Sequence, residues 1–350
     1  MGIDAHDAVR ARPRFADAHA DDGRTVAGMT APVEPLPALP LAPWRSTKET
    51  LHRFAQVVGK VALAKGIRRN HWWHMTFRLT ARGWTTVPLG TARSGPVFTC
   101  AFDFFDHALI VATDDGAQVR VDLPGKSVAE FYEDVLAALS ALDIHVVIPN
   151  PHPFDLPDAD RPFEQDTEHA SYDPQQALAA FRVQSQVGRI LEEFSATYSG
   201  KISPVQVFWH TFDIAVQRFS PRHIEMPASV DSVTREAYSR EVISAGFWFG
   251  DDNVPEPTFY SYVAPEPEGL TGRALSPAGA RWVTSGSGHA AYYAYDEARR
   301  ADDPVGAALE FFQSVYAAGS QLAGWDADQL ACSGGVTDPV LKKTEIRFGG

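Results

Sequence analysis

The chain has 350 residues, of which 45% are hydrophobic and 21% are charged, a composition typical of a folded globular protein. Its 44 acidic and 31 basic residues give a net charge of −13, which repels nucleic acid and anionic lipid surfaces. Because only Cys100 and Cys332 are present, a disulfide scaffold and a four-cysteine zinc site are excluded, and a reducing compartment fits best. The sequence has no run of about 18 apolar residues, and Asp4 and Asp7 lie where a signal peptide would have its apolar stretch. We therefore expect a cytoplasmic protein with neither a nucleic-acid nor a membrane partner.

Composition divides the chain into five segments. Residues 1–43 are rich in Ala, Asp, Arg and Pro and contain one aromatic residue, Phe15, so they are predicted to form a disordered N-terminal arm. The other four segments are a first α+β half at 44–148, an acidic, proline-rich connecting loop at 149–172, a second α+β half at 173–330 and a C-terminal tail at 331–350.

Four helix starts are predicted from capping residues, because a side-chain oxygen at the N-cap accepts from backbone N–H groups that have no partner within the helix. Two starts have capping-box spacing and two place proline in the first helical position. The four pairs are Ser46 with Glu49, Ser127 with Glu130, Asp173 with Pro174, and Asp303 with Pro304. Apolar residues at helical spacing follow each pair.

Strands are predicted where apolar residues alternate with polar ones or where aromatic and β-branched residues dominate. The first half contains four such segments, with Asp115-Gly116 as a hairpin turn before the last. The predicted strands are 75–80, 98–105, 109–113, 119–123, 205–217, 241–249 and 259–263. Both halves then read as helix, antiparallel sheet, helix. The sequence therefore predicts an α+β fold of two similar halves, either an internal pseudo-twofold duplication or the ordinary alternation of such a fold.

The first candidate site is the segment His71-Trp72-Trp73-His74. On a helix the two histidines would share a face, but on a strand, which we expect to start here, they point to opposite faces and make a poor metal chelate. His71 is then a candidate general acid or base, because the pKa of histidine lies near neutrality, with Trp73 as a neighbouring ligand contact. The alternative is a hydrogen-bonded core histidine.

The second candidate is Asp213, which lies in a strongly apolar segment predicted to be one strand. Alternation places Trp209, Thr211, Asp213 and Gln217 on one face, so Asp213 would lie against the Trp209 ring, where desolvation raises the pKa of a carboxyl group. The alternative is a structural salt bridge to Arg218 or Arg235.

Titratable and aromatic residues are also concentrated between positions 235 and 262. Their density suggests a ligand cavity, with a large aromatic core as the alternative. The candidate residues here are Glu241 for proton transfer and Arg235, Tyr238, Trp248, Tyr260 and Tyr262 for ligand contact.

Two loops carry weaker signals. The connecting loop interleaves acidic residues with His152 and His169, so that Asp166 with His169 could ligate a divalent metal or the loop could cover a pocket. Its plainest interpretation is a wrapped linker, and we predict no metal site. Residues 285–288 form a glycine-rich loop without the lysine of a phosphate cradle.

Several longer motifs together resemble a bacterial family known as domain of unknown function 5996. They are Asn70 to Trp73, His169 to Asp173, Lys201 to Trp209, Phe212-Asp213, Arg218 to Ser220, and Phe259 to Tyr262 followed by Pro265 to Pro267. The resemblance spans residues 41 to 330 and implies that these residues form one site. The family has no established activity. This chain has Arg240 and His210 where the family is expected to have a histidine and a smaller residue.

These observations favour an enzyme that uses acid and base chemistry on a small organic molecule in an aromatic pocket between the two halves. Asp213, Glu241 and His71 are its proton-transfer candidates, and Arg218 or Arg235 would hold an anionic group. The alternative is a small-ligand binder without catalysis that uses the same aromatic residues, Trp73 and Trp209 included. The sequence identifies neither a cofactor nor an oligomeric state.

Overall fold

The structure is a computed structural model, which describes residues 36–91 and 93–341. The disorder predicted for residues 1–35 lies outside the described residues. The described chain has a mixed α+β fold, as predicted, with seven helices and one large antiparallel sheet. The helices are α1 (Leu41–Lys65), α2 (Val128–Ala141), α3 (Pro174–Ala196), α4 (Ser232–Ala237), α5 (Tyr295–Ala298), α6 (Pro304–Leu322) and α7 (Ala327–Leu330).

The sheet has 13 strands. They are β1 (Phe77–Leu79), β2 (Gly83–Thr86), β3 (Leu89–Thr91), β4 (Ser94–Asp103), β5 (Ala108–Thr113), β6 (Gln118–Asp122), β7 (Lys201–Ile202), β8 (Gln206–Phe208), β9 (Asp213–His223), β10 (Arg240–Trp248), β11 (Thr258–Ala264), β12 (Arg281–Ser285) and β13 (Gly288–Ala294). Their order is β12-β13-β11-β10-β9-β8-β1-β2-β4-β5-β6, with β3 beside β4 and β7 beside β9. The strands before and after the connecting loop therefore join through the pair β1–β8, in which Phe77 is registered with Val207.

Three of the four predicted helix caps are confirmed. Ser127 and Glu130 form a reciprocal capping box. Asp173 and Asp303, each directly followed by a proline, accept from backbone N–H groups in the first turn of their helices. The cap at Ser46 is wrong, because α1 already begins at Leu41 and Pro43 lies in its first turn. A proline is tolerated there since the first N–H groups of a helix have no intrahelical partner.

The helices α1, α3 and α6 pack against one face of the sheet. This face is strongly apolar, because apolar residues alternate with others along the strands. Gly188 of α3 lies against Leu79 and Ile214, and Gly319 of α6 lies against Ile243 and Val263. The other face, over β8 to β13, is covered only in part, by the segment around His71, by α4 and by the tip of the connecting loop. This uneven covering leaves room for a cavity on that face.

Two details of the strand prediction are corrected. The segment 205–217 is not one strand, because the chain reverses between Phe208 and Asp213 to make a β8–β9 hairpin, with Phe212 at a φ of 59°. The strands β2, β3, β7, β12 and β13 were not predicted, and the glycine-rich loop at 285–288 is the turn between β12 and β13. The predicted hairpin turn at Asp115-Gly116 is confirmed, and it joins β5 to β6.

The structure does not show an internal duplication. Trp73 lies in a turn before β1, whereas Trp209 follows β8, so the two similar motifs occupy different places relative to their strands. The expected boundary near residue 43 falls inside α1, and Leu36 and Leu39 before it are already buried. Among the described residues, no helix has both the length and the apolar content that crossing a membrane requires. Cys100 and Cys332 are buried and unpaired.

Candidate functional site

A cavity of about 490 Å³ lies on the sheet face that the long helices leave free. Its floor is built from alternate residues of β9, β10, β11 and β13, and its walls come from His71-Trp72, Phe154-Asp155, the β8–β9 turn and α4. The volume suits a small organic molecule, and the lining combines aromatic side chains with a similar number of polar ones. Five of the residues singled out from the sequence line it besides Asp213, namely His71, Tyr238, Trp248, Tyr260 and Tyr262.

Asp213 is the buried carboxylate of this cavity. It is registered with Phe208 on one side and with Trp248 on the other, so two aromatic side chains flank it on the same face of the sheet. The Thr211 hydroxyl donates to Oδ1 and the Tyr260 hydroxyl to Oδ2. No arginine or lysine of the described residues forms an ion pair with it. Burial raises the pKa of the Asp213 carboxyl group, and the two hydrogen bonds offset that rise in part.

Tyr260 reaches Asp213 because the residues between them are small. Tyr260 on β11 is registered with Gly246 on β10, which is in turn registered with Ala215 on β9. A Cβ at Gly246 would lie 2.5 Å from the Tyr260 hydroxyl, so only glycine lets the ring cross that strand. Burial raises the pKa of the Tyr260 hydroxyl. The Asp213 carboxylate raises it further, because deprotonation of Tyr260 would place two negative charges side by side.

The remaining tyrosines form an aromatic wall beside Asp213. The Tyr262 ring is parallel to that of Tyr260 at 6.3 Å, and its hydroxyl lies 3.2 Å from the hydroxyl of Tyr238. On the other side Trp248 contacts Tyr292 edge to face at 5.9 Å. Tyr292 was missed because it lies on β13, a strand that the sequence analysis did not predict.

His71 lies at the edge of the cavity, but both of its ring nitrogens are engaged. Nδ1 lies 3.1 Å from the Ala237 carbonyl oxygen, to which it donates, and Nε2 accepts from Lys201 Nζ at 2.6 Å. The ring stacks on Phe219 at 4.3 Å. Burial lowers the pKa of His71, and the nearby Lys201 charge lowers it further. His71 is therefore neutral and fixed in one tautomer. It lies in a turn rather than on the predicted strand, with a φ of 53°.

Two further polar groups at the cavity were not singled out as site residues. His210, in the β8–β9 turn, has a buried Nδ1 and Gln217 on β9 has a buried Oε1, and neither atom has a hydrogen-bond partner among the described residues. Burial lowers the pKa of His210 to about 4, so the ring is neutral at physiological pH. The alternation of β9 that pointed to Asp213 could also have pointed to Gln217.

Glu241 lies away from the cavity, on the helix-facing side of β10. Its carboxylate accepts from Ser220 at 2.7 Å and from the Trp325 indole at 2.8 Å, and it pairs with Arg222 at 2.6 Å. Burial alone would raise the pKa of Glu241, but these three partners together lower it. The structure therefore separates Glu241 from Asp213 and His71.

The two candidate arginines also lie outside the cavity. Arg218 faces the helices, where its guanidinium lies 3.5 Å from the ring centre of Phe194 and donates to the Phe194 carbonyl and to Thr197 at the end of α3. Burial lowers the pKa of Arg218 to about 10. Arg235 is exposed on α4 and donates to the carbonyl oxygens of Met226 and Pro227. Neither forms the predicted salt bridge to Asp213.

Trp209 and Trp73 pack beside the cavity rather than lining it. The Trp209 indole lies on Gly59 of α1 and donates to the Met75 carbonyl at 3.0 Å. The aromatic neighbours of Asp213 are therefore Phe208 and Trp248 and not the predicted Trp209. Trp73 packs against His71 and Phe219.

The connecting loop is held on α1 by ion pairs. Asp158, Asp166 and His169 bring possible ligand atoms within 4.8 Å of one another. Arg53 contacts both aspartates, and Arg161 lies 3.4 Å from Asp166. Two fixed guanidinium groups thus supply the positive charge that a metal ion would bring, and ion pairing accounts for the cluster. His152 is half-buried in the same loop. The loop reaches the cavity only at Phe154 and Asp155.

The fold and the site together define an α+β protein with a ligand-sized, aromatic cavity on the open face of an antiparallel sheet. The chain belongs to a family of unknown function (DUF5996), whose profile it matches over residues 36–332. A comparison with curated proteins and one with solved structures found no match.

Proposed function

We propose that this protein binds a small organic molecule in the cavity and transfers a proton to or from it through the carboxyl group of Asp213. The observation that carries the proposal is the burial of Asp213 at the cavity wall, with two hydroxyl groups as its hydrogen-bond partners and no basic residue of the described chain paired with it. A structural carboxylate is normally buried with a counter-ion, as Asp166 is with Arg53 and Arg161, because an unpaired buried charge costs several kcal/mol.

The pKa of Asp213 supports this chemistry. Burial raises the pKa of its carboxyl group, and proton transfer is most efficient when the pKa of the acid or base lies nearer the working pH. The hydroxyl of Tyr260 donates to Oδ2 and leaves further lone pairs on the carboxylate for a ligand. Perturbed carboxyl groups in clefts are more common at functional sites than elsewhere.

A metabolite extract incubated with the full-length protein in heavy water tests the proposal. We expect the wild-type protein to consume one metabolite or to introduce deuterium into it. Asp213→Asn should slow that change by about 100-fold or more, because loss of a general acid or base has effects of this order. An equal rate in the Asp213→Asn variant, or no change with folded wild-type protein, would contradict the proposal.

One observation favours binding without catalysis as the second candidate function. Both ring nitrogens of His71 are engaged, so the cavity has no second proton-transfer group with a free nitrogen at that position. Native mass spectrometry separates the two functions. A non-catalytic binder retains a metabolite that is released unchanged after prolonged incubation, whereas an enzyme releases a changed one.

The cytoplasmic location remains part of the proposal. It is supported by the burial of Cys100 and Cys332 as unpaired thiols.

A further inference from the structure

The charges that line the cavity are of one sign. Asp213 and Asp155 contribute carboxylates, and among the described residues no lysine or arginine lines the cavity. The two histidines of the wall do not reverse this balance, because burial lowers the pKa of both His71 and His210 and leaves them neutral. Lys201 is the basic residue beside His71, and its ammonium group is bound to Nε2 of that ring. An anionic ligand would therefore enter the cavity without a counter-charge.

Four aromatic rings lie around Asp213 in the wall of the cavity. Trp248 and Phe208 are its cross-strand neighbours, and the parallel rings of Tyr260 and Tyr262 continue the wall across β11. The face of an aromatic ring carries negative electrostatic potential and attracts an organic cation, most strongly where water is excluded. The carboxylate and the rings thus favour the same kind of ligand.

Building on the proposed function, we infer that the molecule bound in this cavity is an organic cation, an amine or a quaternary ammonium compound. Its positive nitrogen lies against the Asp213 carboxylate and its carbon substituents contact the rings of Trp248 and Tyr260. The cation supplies the counter-charge that Asp213 lacks among the described residues.

Charge and shape can be separated with matched probes. Choline and 3,3-dimethylbutan-1-ol have nearly the same shape but differ in charge, and benzyltrimethylammonium and benzoate compare a cation with an anion. Binding of each to the full-length protein is measured by isothermal titration calorimetry. We expect both cations to bind at least about tenfold more tightly than the neutral alcohol, and benzoate not to bind.

Three variants locate the effect. Asp213→Asn should remove the preference for choline over 3,3-dimethylbutan-1-ol. Trp248→Leu should weaken the binding of both cations by about tenfold. Asp122→Asn removes an equal charge from the exposed strand β6 and should leave binding unchanged. Circular dichroism and melting temperature verify that each variant is folded, and Trp248→Leu tests the site by itself if Asp213→Asn does not fold.

The outcomes distinguish this inference from the proposed function. Tighter binding of benzoate or of the neutral alcohol than of the cations would overturn the cationic ligand while leaving the cavity as a binding site. Absence of binding by every probe, or unchanged cation binding in Asp213→Asn, would also overturn it. The heavy-water experiment decides the proposed function independently of these probes.

Discussion

The hydroxyl of Tyr260 donates to the carboxylate of Asp213 across an intervening strand. The two residues are 47 positions apart in the chain, and Gly246 and Ala215 are the small residues that let the ring pass between them. This contact joins the aromatic wall of the cavity to its buried charge.

Asp213→Asn should lower the free energy of unfolding by at most about 1 kcal/mol, because an amide of the same size accepts from one hydroxyl group through its oxygen and donates to the other through its N–H. Burial raises the pKa of Asp213 above its unfolded value, so ionisation weakens the folded state as the pH rises through that range. The variant should therefore gain stability relative to wild type from low to neutral pH. Urea unfolding at several pH values measures both effects.

Asp166→Asn is the matched comparison, since Asp166 is a buried carboxylate with ion-pair partners. Breaking its pairs with Arg53 and Arg161 should cost about 3 to 5 kcal/mol. A loss of that size in Asp213→Asn as well would mean that Asp213 is structural.

Gly246→Ala should displace the Tyr260 ring, because the added Cβ would lie 2.5 Å from its hydroxyl oxygen and 2.8 Å from the Ile214 carbonyl oxygen. We expect a loss of about 1 to 3 kcal/mol in stability and weaker binding of the ammonium probes. Gly272→Ala is the control, since a Cβ there meets no atom within 4 Å. Equal stability of the two variants would argue against the close approach of Tyr260.

Stability should fall in acid as His52 is protonated. The ring is buried, it donates to the His210 carbonyl at 3.2 Å, and burial lowers its pKa to about 3. The unfolded chain binds a proton near pH 6.5 while the folded chain does not, so stability is lost as the pH falls below that value, by up to about 1.4 kcal/mol per pH unit. His52→Gln should flatten the slope of unfolding free energy between pH 6 and 4. An unchanged slope would assign the acid sensitivity to other groups.

Arg218→Ala should destabilise the fold without affecting the ligand. Its guanidinium is enclosed by Phe194, Tyr198 and Tyr316 and donates to the carbonyl at the end of α3, so we expect a loss of about 3 kcal/mol or more. Affinity for the ammonium probes should stay the same at a temperature where the variant is folded. A loss of probe binding in a variant that is still folded would mean that Arg218 does contribute to the ligand site.

Deletion of residues 1–43 should lower the melting temperature, contrary to the expectation from composition. Leu36, Leu39 and Leu41 are buried, and each apolar side chain removed costs about 1.5 to 3 kcal/mol. Deletion of residues 1–35 is the matched control, because it keeps all three leucines, and the composition of that segment predicts little change. Equal melting temperatures for the two truncations would contradict the contribution of these leucines.

The sequence by itself determined the features that depend on neighbouring residues. The caps at Ser127, Asp173 and Asp303 and the turn at Gly116 follow from hydrogen bonds and backbone angles within about four positions, so they were predictable. Asp213 could be singled out for a similar reason, because a carboxylate among apolar residues must be paired or used.

Only the tertiary structure decided which charged groups face the cavity. Glu241 and Trp248 lie seven positions apart on β10 and therefore on opposite faces, but only the fold shows that the helices cover the face of Glu241, where Arg222 pairs with it, and that Asp213 lies on the face of Trp248. A reversal between Phe208 and Asp213 changed which residues share a face with Asp213, and Tyr260 reached it through the register of β9, β10 and β11. Register and reversal are set by packing between residues far apart in the chain, and alternation along one segment does not contain that information.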